Sequence, residues 1–259
     1  MNENEKILKF ANSLADEASR ITMSYFLQDL EIVNKSDKGF DPVTIADKKT
    51  EEVIRSLITK EFPDHGIIGE EYDNHGSFNG PYWVIDPIDG TRAFLLQIPV
   101  WGTLIAFNNG PEPIFGIVDQ PYQKKRYIGF NNECFLLNEG QKISLNTKNT
   151  KNLENSVISC TDPFLFSEKE LDSFRKLSSV SRIRRFGLDC TGFCLLASGQ
   201  IDLVIEADLK IYDIQALIPI IRGAGGIVTT WEGEDPSSGG NILASCNKKL
   251  HADAMAILA

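Results

Sequence analysis

The sequence predicts an α/β protein built in two halves, and two patterns along the chain indicate this. Up to about residue 150, two amphipathic helical segments precede several strand-like runs, which is typical of an α+β arrangement. Beyond that point strand-like and helical segments alternate, which favours a layered α/β arrangement. No internal repeat or low-complexity linker separates residues 1–150 from residues 151–259. We therefore expect a single unit of 259 residues with a site between its halves.

In the first half, apolar residues at three- and four-residue steps predict helices over residues 7–26 and 44–60. NKSDKGFD, between them, and DNHGSFNG, after GIIGEE, are rich in turn formers and predict loops. A short strand at WVI is followed by a helical TRAFLL. Further strands are predicted at VWGTLIAF, PIFGIVDQ, KKRYIGF and CFLL.

In the second half, the alternation predicts four strands and three helices. The strands are SVISC, SRIRRF, IDLVIEA and GGIVTT, and the helices between them cover residues 168–177, 189–197 and 214–222. Such alternation places helices against a sheet, so we expect a layered half.

The balance of charge excludes two classes of partner. The chain carries 36 acidic and 26 basic side chains, for a formal net charge of -10, whereas nucleic acids and anionic membranes are bound by basic surfaces. No apolar run reaches the roughly 18 residues of a membrane-spanning helix, and MNENEKILKF lacks the pattern of a secretory signal. We therefore expect a soluble, cytoplasmic protein without a nucleic-acid or membrane partner.

The cysteines and histidines argue against a disulfide framework and against zinc. The five cysteines are odd in number and form no Cys-x-x-Cys pair, and the three histidines are scattered without metal-ligand spacing. A metal in this chain should therefore be a hard cation bound by oxygen.

The stretch WVIDPIDGT places two acids where a buried strand is predicted to end. Pro87 should stop the hydrogen-bond ladder of the strand, and Gly90 should allow a tight turn. Asp86 and Asp89 would then lie on a stiff turn as cation ligands, and the amides at the start of the next helix would favour an anion. The structural alternative is that Asp86 is a strand-end residue and Asp89 a helix cap.

Two further acids, Glu70 after IIG and Asp213 in IYDIQALIPI, also accompany apolar runs. Brought together with the acids of WVIDPIDGT, they would repel one another in a low-dielectric cleft unless a cation were present. The pattern predicts a divalent cation site.

DPVTIAD, GEE, DPIDGT and YDIQALIPIIRGAGG resemble, in order and spacing, the motifs of the inositol monophosphatase superfamily over nearly the whole chain. The resemblance implies a layered αβαβα sandwich of the inositol monophosphatase or sugar phosphatase type. It also implies a homodimer and magnesium-dependent, lithium-sensitive hydrolysis of small phosphomonoesters by a metal-activated water.

Four blocks are most similar to the histidinol-phosphate phosphatase branch: GTRAFLLQIPVWGTLIAF, GIVDQPYQKKRYIG, RRFGLDCTGF and DLVIEADLKIYD. This similarity implies hydrolysis of L-histidinol phosphate to L-histidinol and phosphate in histidine biosynthesis. Asp89, Asp189 and Glu206 stand where the resemblance places contacts to the leaving group. Carboxylates at Asp189 and Glu206 suit a cationic amino-imidazole alcohol better than a neutral polyol, although Asp189 could instead be a helix N-cap.

For the metal, the resemblance implies two magnesium ions bridged by Asp86. One would be held by Glu70, Asp86 and the backbone carbonyl of Ile88, and the second by Asp86, Asp89 and Asp213. A third, weaker ion would depend on Glu70 and water.

For catalysis, the resemblance implies that Asp47 and Thr91 orient the attacking water, with Glu70 beside them, and that the amides of Gly90 and Thr91 bind phosphate. Without the resemblance, Asp47 would be interpreted as a helix-surface aspartate and Thr91 as an ordinary helix-start residue. Lys38 and Arg92 could assist catalysis, and Arg184 and Arg185 could contact the phosphate or a neighbouring subunit, with a surface role as the default for each.

Two alternative functions stay open. The same hydrolysis could act on inositol monophosphate or another small phosphomonoester, or the chain could be a catalytically silent binding protein with this fold. The second alternative conflicts with the presence of every residue implied in metal binding and water activation.

Overall fold

The structure, a computed structural model, describes residues 2–34, 42–110 and 112–258. Most of the predicted NKSDKGFD loop, including Lys38, lies outside these ranges. The helices are α1 (Glu3–Tyr25), α2 (Ile45–Glu61), α3 (Thr91–Leu95), α4 (Glu168–Ser179), α5 (Cys190–Ala197), α6 (Ile211–Ile214), α7 (Leu217–Gly223) and α8 (Lys248–Leu258). The strands of the first half are β1 (Val33–Asn34), β2 (Pro42–Val43), β3 (Gly66–Gly69), β4 (Tyr82–Asp89), β5 (Gly102–Asn108), β6 (Pro113–Gln120), β7 (Lys125–Phe130), β8 (Glu133–Asn138) and β9 (Gln141–Ser144). Those of the second half are β10 (Val157–Cys160), β11 (Ile183–Phe186), β12 (Leu203–Leu209), β13 (Ile227–Thr230) and β14 (Gly240–Ser245).

Helix α1 shows how local sequence sets an element. Asn2 accepts a hydrogen bond from the Glu5 amide, and the Glu5 side chain accepts one from the Asn2 amide, so the two residues form a capping box. Ile7, Ala11 and Leu14 then recur on one face and are buried, as the three- and four-residue spacing predicted.

The prediction of one helix over residues 214–222 was wrong in detail. The chain forms α6 before Gln215 and α7 after Ala216, and the Gln215 side chain donates to the backbone carbonyl of Ser237. β14 and α8, near the end of the described chain, were not predicted.

Within the described ranges, β3 to β9 form a seven-stranded sheet in sequence order, parallel only between β3 and β4. A five-stranded sheet has the order β11-β10-β12-β14-β13 and is parallel where β10 meets β11 and β12. The mainly antiparallel first sheet follows the α+β pattern, and the second sheet, with parallel and antiparallel pairs, follows the alternating pattern of the second half.

Alternate residues of each sheet face different helical layers. On β4, Trp83 and Ile85 pack with α1 and α2, whereas Val84 joins a cluster that contains α5 and α7. On β12, Val204 faces that same middle cluster, and Ile205 packs with α4 and α8 on the far side. The layers therefore run α, β, α, β, α, which confirms the αβαβα sandwich.

The middle cluster contains residues from both sides of residue 150, including Leu104 and Ile220, which supports the proposal that the chain is one unit. The five cysteines, all within the described ranges, are buried and free. Among the described helices, none combines the length and apolarity required to cross a bilayer.

Candidate metal centre and substrate cavity

The turn between β4 and α3 carries the first acids of the site. The prediction that β4 stops at Pro87 was wrong. The strand continues to Asp89, because β4 carries one extra residue relative to β5 between Asp86 and Asp89. Asp86 is opposite Leu104 and Asp89 is opposite Gly102, so the bulge accommodates a proline that cannot donate to the ladder. Gly90 then adopts the left-handed conformation, with a φ of 82°, as expected for a tight turn.

Carboxylate oxygens of Asp86, Asp89 and Asp213 lie within 4.8 Å of one another. Glu70 lies beside this group, because its side chain hydrogen-bonds Asp86. The pKa of Asp86 is raised well above its ordinary value, first by burial and then by repulsion from Glu70, Asp89 and Asp213. The four predicted acids are therefore brought together.

The donor set fits the hard divalent cation implied by the resemblance. The grouped ligand atoms are carboxylate oxygens, which hard cations prefer. The carbonyl of Ile88 belongs to the same turn and accepts a hydrogen bond from Thr91 Oγ1 at 3.1 Å. A cation would also remove the repulsion that raises the pKa of Asp86.

Asp47 is fully buried, so its interpretation as a helix-surface residue is wrong. Its Oδ2 accepts hydrogen bonds from the amide of Thr44 at 2.9 Å and from Thr44 Oγ1 at 2.6 Å, which caps α2. Its Oδ1 lies 3.4 Å from Thr91 Oγ1, so the predicted pair is in contact.

Beside these acids is a cavity of about 260 Å³. Its polar lining comes from both halves of the chain: Asp89, Gly90, Thr91, Arg92, Thr161, Asp189, Glu206 and Asp213. Leu165, Phe193 and Leu217 supply part of its apolar wall. Arg184 and Arg185 do not line it, and Arg184 Nε donates to the carbonyl of Ser178 at 2.7 Å.

Glu206 is held by a residue that sequence reasoning missed. Thr161 donates to Glu206 Oε1 from its amide at 2.8 Å and from its hydroxyl at 3.0 Å. Burial raises the pKa of Glu206 to about 8, even though the bonds from Thr161 oppose that rise. The only sequence signal was that Thr161 directly follows the buried strand SVISC.

Asp189 precedes α5 but does not cap it with its side chain, so the cap interpretation fails. Its φ of 47° is unusual for a residue other than glycine. Burial raises the pKa of Asp189 to about 6, and Arg92 opposes that rise. A Cβ on Gly90 would lie 3.2 Å from Asp189 Oδ2, so the carboxylate lies over the turn.

Asp89 is the acid that meets the start of α5. Its Oδ2 accepts a hydrogen bond from the Cys190 amide at 2.7 Å, so an acid of the first half joins a helix of the second. Burial and then repulsion from Asp189 raise the pKa of Asp89 to about 7, against the effect of the Cys190 bond. The structural alternative, Asp89 as a helix cap, therefore holds for α5 and not for α3.

Comparison with known proteins agrees with this geometry. A model described as the inositol monophosphatase family matches residues 3–259. The chain is 39% identical to the chloroplastic bifunctional phosphatase IMPL2 of Arabidopsis thaliana, over 98% of this chain and 75% of that protein. It is 32% identical to a histidinol-phosphatase of Chlorobaculum parvum, over 97% of this chain and 96% of that protein. A solved inositol monophosphatase from Zymomonas mobilis superposes with a TM-score of 0.88 at 33% identity, over 100% of this chain and 99% of that one.

Proposed function

We start from the fact that the chain belongs to the inositol monophosphatase family, and we propose that this phosphatase hydrolyses L-histidinol phosphate with magnesium. The family and its relatives make the chain a phosphoric monoester hydrolase. The substrate and the metal ion are the parts that we propose.

The observation that carries the proposal is the pair of carboxylates, Asp189 and Glu206, in the wall of the cavity. Glu206 is buried and Asp189 is partly buried, and burial raises the pKa of each, so their ionisation carries a desolvation cost while the cavity lacks a cation. The ammonium and imidazolium groups of histidinol would supply positive charge there, whereas inositol would supply only hydroxyl groups. Binding of the cation should lower both pKa values and release protons.

The proposed magnesium ligands are Glu70, Asp86 and the Ile88 carbonyl for one ion, and Asp86, Asp89 and Asp213 for a second. Magnesium, when bound, would activate a water and neutralise charge on the phosphate and on the leaving oxygen. Support for this assignment comes from the all-oxygen donor set and from the repulsion between its members. A third ion that depends on Glu70 and water is part of the same proposal.

We assign the orientation of the attacking water to Thr91, supported by Asp47. Asp47 is fully buried, so it would act through the Thr91 hydroxyl and not by touching the substrate. When the Thr91 hydroxyl donates its proton to Asp47 or to the Ile88 carbonyl, its oxygen lone pairs can still accept a hydrogen bond from a water. The amides of Gly90 and Thr91 would bind phosphate oxygens, because both residues line the cavity.

The alternative substrate is inositol monophosphate. It is favoured by the 33% identity to the inositol monophosphatase of Zymomonas mobilis over the whole chain. A homodimer, lithium sensitivity and a cytoplasmic location remain proposals that rest on the resemblance and on the sequence.

Substitution of the two wall acids tests the proposal. Asp189→Asn and Glu206→Gln keep the shape of each side chain and remove its charge. Each should lower kcat/KM for L-histidinol phosphate by roughly tenfold to a hundredfold, the value of a hydrogen bond to a charged group, and should change inositol 1-phosphate turnover less. Equal losses for both substrates would contradict the assignment, and Glu154→Gln, an exposed acid, serves as the control.

A further inference from the structure

One face of α2 carries three polar residues at four-residue steps: Asp47, Glu51 and Arg55. Asp47, in the first turn, contacts Thr91 of the proposed catalytic centre. The other two residues lie one and two turns further along, and both contact the chain that follows β3. A single rigid helix therefore reaches two separate parts of the site.

Glu51 is fully buried and makes two bonds. Its Oε2 accepts a hydrogen bond from the Glu71 amide at 2.8 Å, and its Oε1 accepts one from Arg55 Nε at 2.6 Å. A Cβ on Gly69 would lie 2.0 Å from Glu51 Oε1, so this approach requires glycine. The residues before and after Glu70 thus both lie against one buried carboxylate.

Arg55 extends the same contact along the chain. Its Nη2 donates to the carbonyl of Tyr72 at 3.0 Å, and its Nη1 donates to the carbonyl of Asp73 at 3.1 Å. The guanidinium carbon lies 5.8 Å from the centre of the Tyr72 ring, within cation–π range. The Arg55 side chain is only 14% exposed, so its planar fork is held in one orientation.

We propose that Glu51 and Arg55, which we call the α2 clamp, are positioning residues that fix Glu70 relative to Asp47. This inference rests on the proposed function, in which Glu70 is a metal ligand. The clamp hydrogen-bonds the backbone directly after Glu70 and packs against Gly69 directly before it, so it limits the positions that the Glu70 carboxylate can take. Residues that orient metal ligands typically change metal affinity or activity roughly 10- to 100-fold when they are lost.

A purely structural ion pair is the competing interpretation. In that case, loss of the pair would lower the stability of the whole protein, and the segment around Glu70 would keep its local order and metal affinity. Positioning instead predicts a local change at residues 70–73 in protein that remains folded.

Three variants separate the two interpretations. Glu51→Gln replaces one of the two acceptor oxygens by an amide NH₂ group, so either Arg55 or the Glu71 amide loses its acceptor. Arg55→Lys keeps the positive charge but loses the planar guanidinium. Glu52→Gln is the matched control, because it makes the same substitution one residue away on the exposed face, where Glu52 pairs with Lys49 at 2.8 Å.

The first readout is hydrogen–deuterium exchange of metal-free protein. Exchange over residues 70–73 should rise by roughly tenfold or more in both clamp variants and stay unchanged in the control, while the core strands remain protected. Unchanged exchange over these residues would overturn the proposal. A uniform rise across the whole chain would do so as well.

The second readout is Mn²⁺ binding by calorimetry, without substrate. The clamp variants should bind roughly tenfold more weakly than the wild type, and the control should match the wild type. Wild-type affinity in the clamp variants would overturn the proposal. A Glu70→Gln variant that binds Mn²⁺ as well as the wild type would instead contradict the proposed metal site, so the two failures are distinguishable.

Discussion

Glu206→Gln should stabilise the metal-free protein, and the gain should grow with pH. Glu206 is only 5% exposed, and burial raises its pKa from 4.5 to about 8. A glutamine keeps a carbonyl oxygen for both bonds from Thr161 and carries no charge that burial can penalise.

The size of the effect follows from proton linkage. The unfolded chain releases the Glu206 proton near pH 4.5, whereas the folded protein holds it until about pH 8. Between these values the unfolded state binds fewer protons, so the free energy of unfolding falls as pH rises. One pKa unit corresponds to about 1.4 kcal/mol. Relative to low pH, the raised pKa of Glu206 therefore lowers the free energy of unfolding by about 1 kcal/mol at pH 5 and by about 3 kcal/mol at pH 7.

Urea unfolding in a buffer with chelator measures this directly. The free energy of unfolding of Glu206→Gln should exceed that of the wild type by about 1 kcal/mol at pH 5 and about 3 kcal/mol at pH 7. Glu154→Gln, at an exposed position, should show no such trend. A difference that is the same at both pH values, or a variant less stable than the wild type at pH 7, would refute the reasoning.

Three further predictions concern other buried positions. Burial lowers the pKa of His251 from 6.5 to about 4. As pH falls, the unfolded chain therefore takes up the proton before the folded protein does, and the free energy of unfolding should fall by up to about 3 kcal/mol between pH 6.5 and pH 4. His251→Gln should flatten that part of the urea-unfolding profile, and an unchanged slope would contradict this. Asp86→Asn should abolish magnesium-dependent phosphate release, and retained activity would contradict the two-metal assignment. Without metal, the same variant should unfold at a higher urea concentration than the wild type, because burial and neighbouring acids raise the pKa of Asp86 and so penalise its charge. Gly69→Ala should cost roughly 1–3 kcal/mol of stability in urea unfolding, because its Cβ would lie 2.0 Å from Glu51 Oε1. Gly80→Ala, whose Cβ meets nothing within 4 Å, should be nearly neutral, and equal effects would contradict the steric explanation.

Most of the fold could be predicted because its signals are local. The helical spacing that begins at Ile7 and the alternation of Trp83 and Val84 depend only on neighbours in the sequence. Pro87 shows the limit of local rules, because the strand continues past it by a bulge opposite β5. The sequence WVIDPIDGT alone does not determine whether the pairing of β4 with β5 can accommodate an extra residue.

The acids of the site could be predicted, but several contacts that hold them could not. Glu70 and Asp213 were found because each accompanies an apolar run in a family motif. Glu51 and Arg55 have the four-residue spacing of an ordinary exposed helix pair, and their contacts with Gly69 and with the chain after β3 form only in the folded protein. Thr161 becomes significant only when β10 and β12 lie side by side and bring Glu206 to it.

The most direct test of the central claim is phosphate release by the wild-type protein from L-histidinol phosphate and inositol 1-phosphate, measured in parallel with magnesium and with a chelator. We predict turnover that requires magnesium and a higher kcat/KM for L-histidinol phosphate. A preference for inositol 1-phosphate would contradict the substrate assignment to Asp189 and Glu206, and turnover that persists in the chelator would contradict the metal centre.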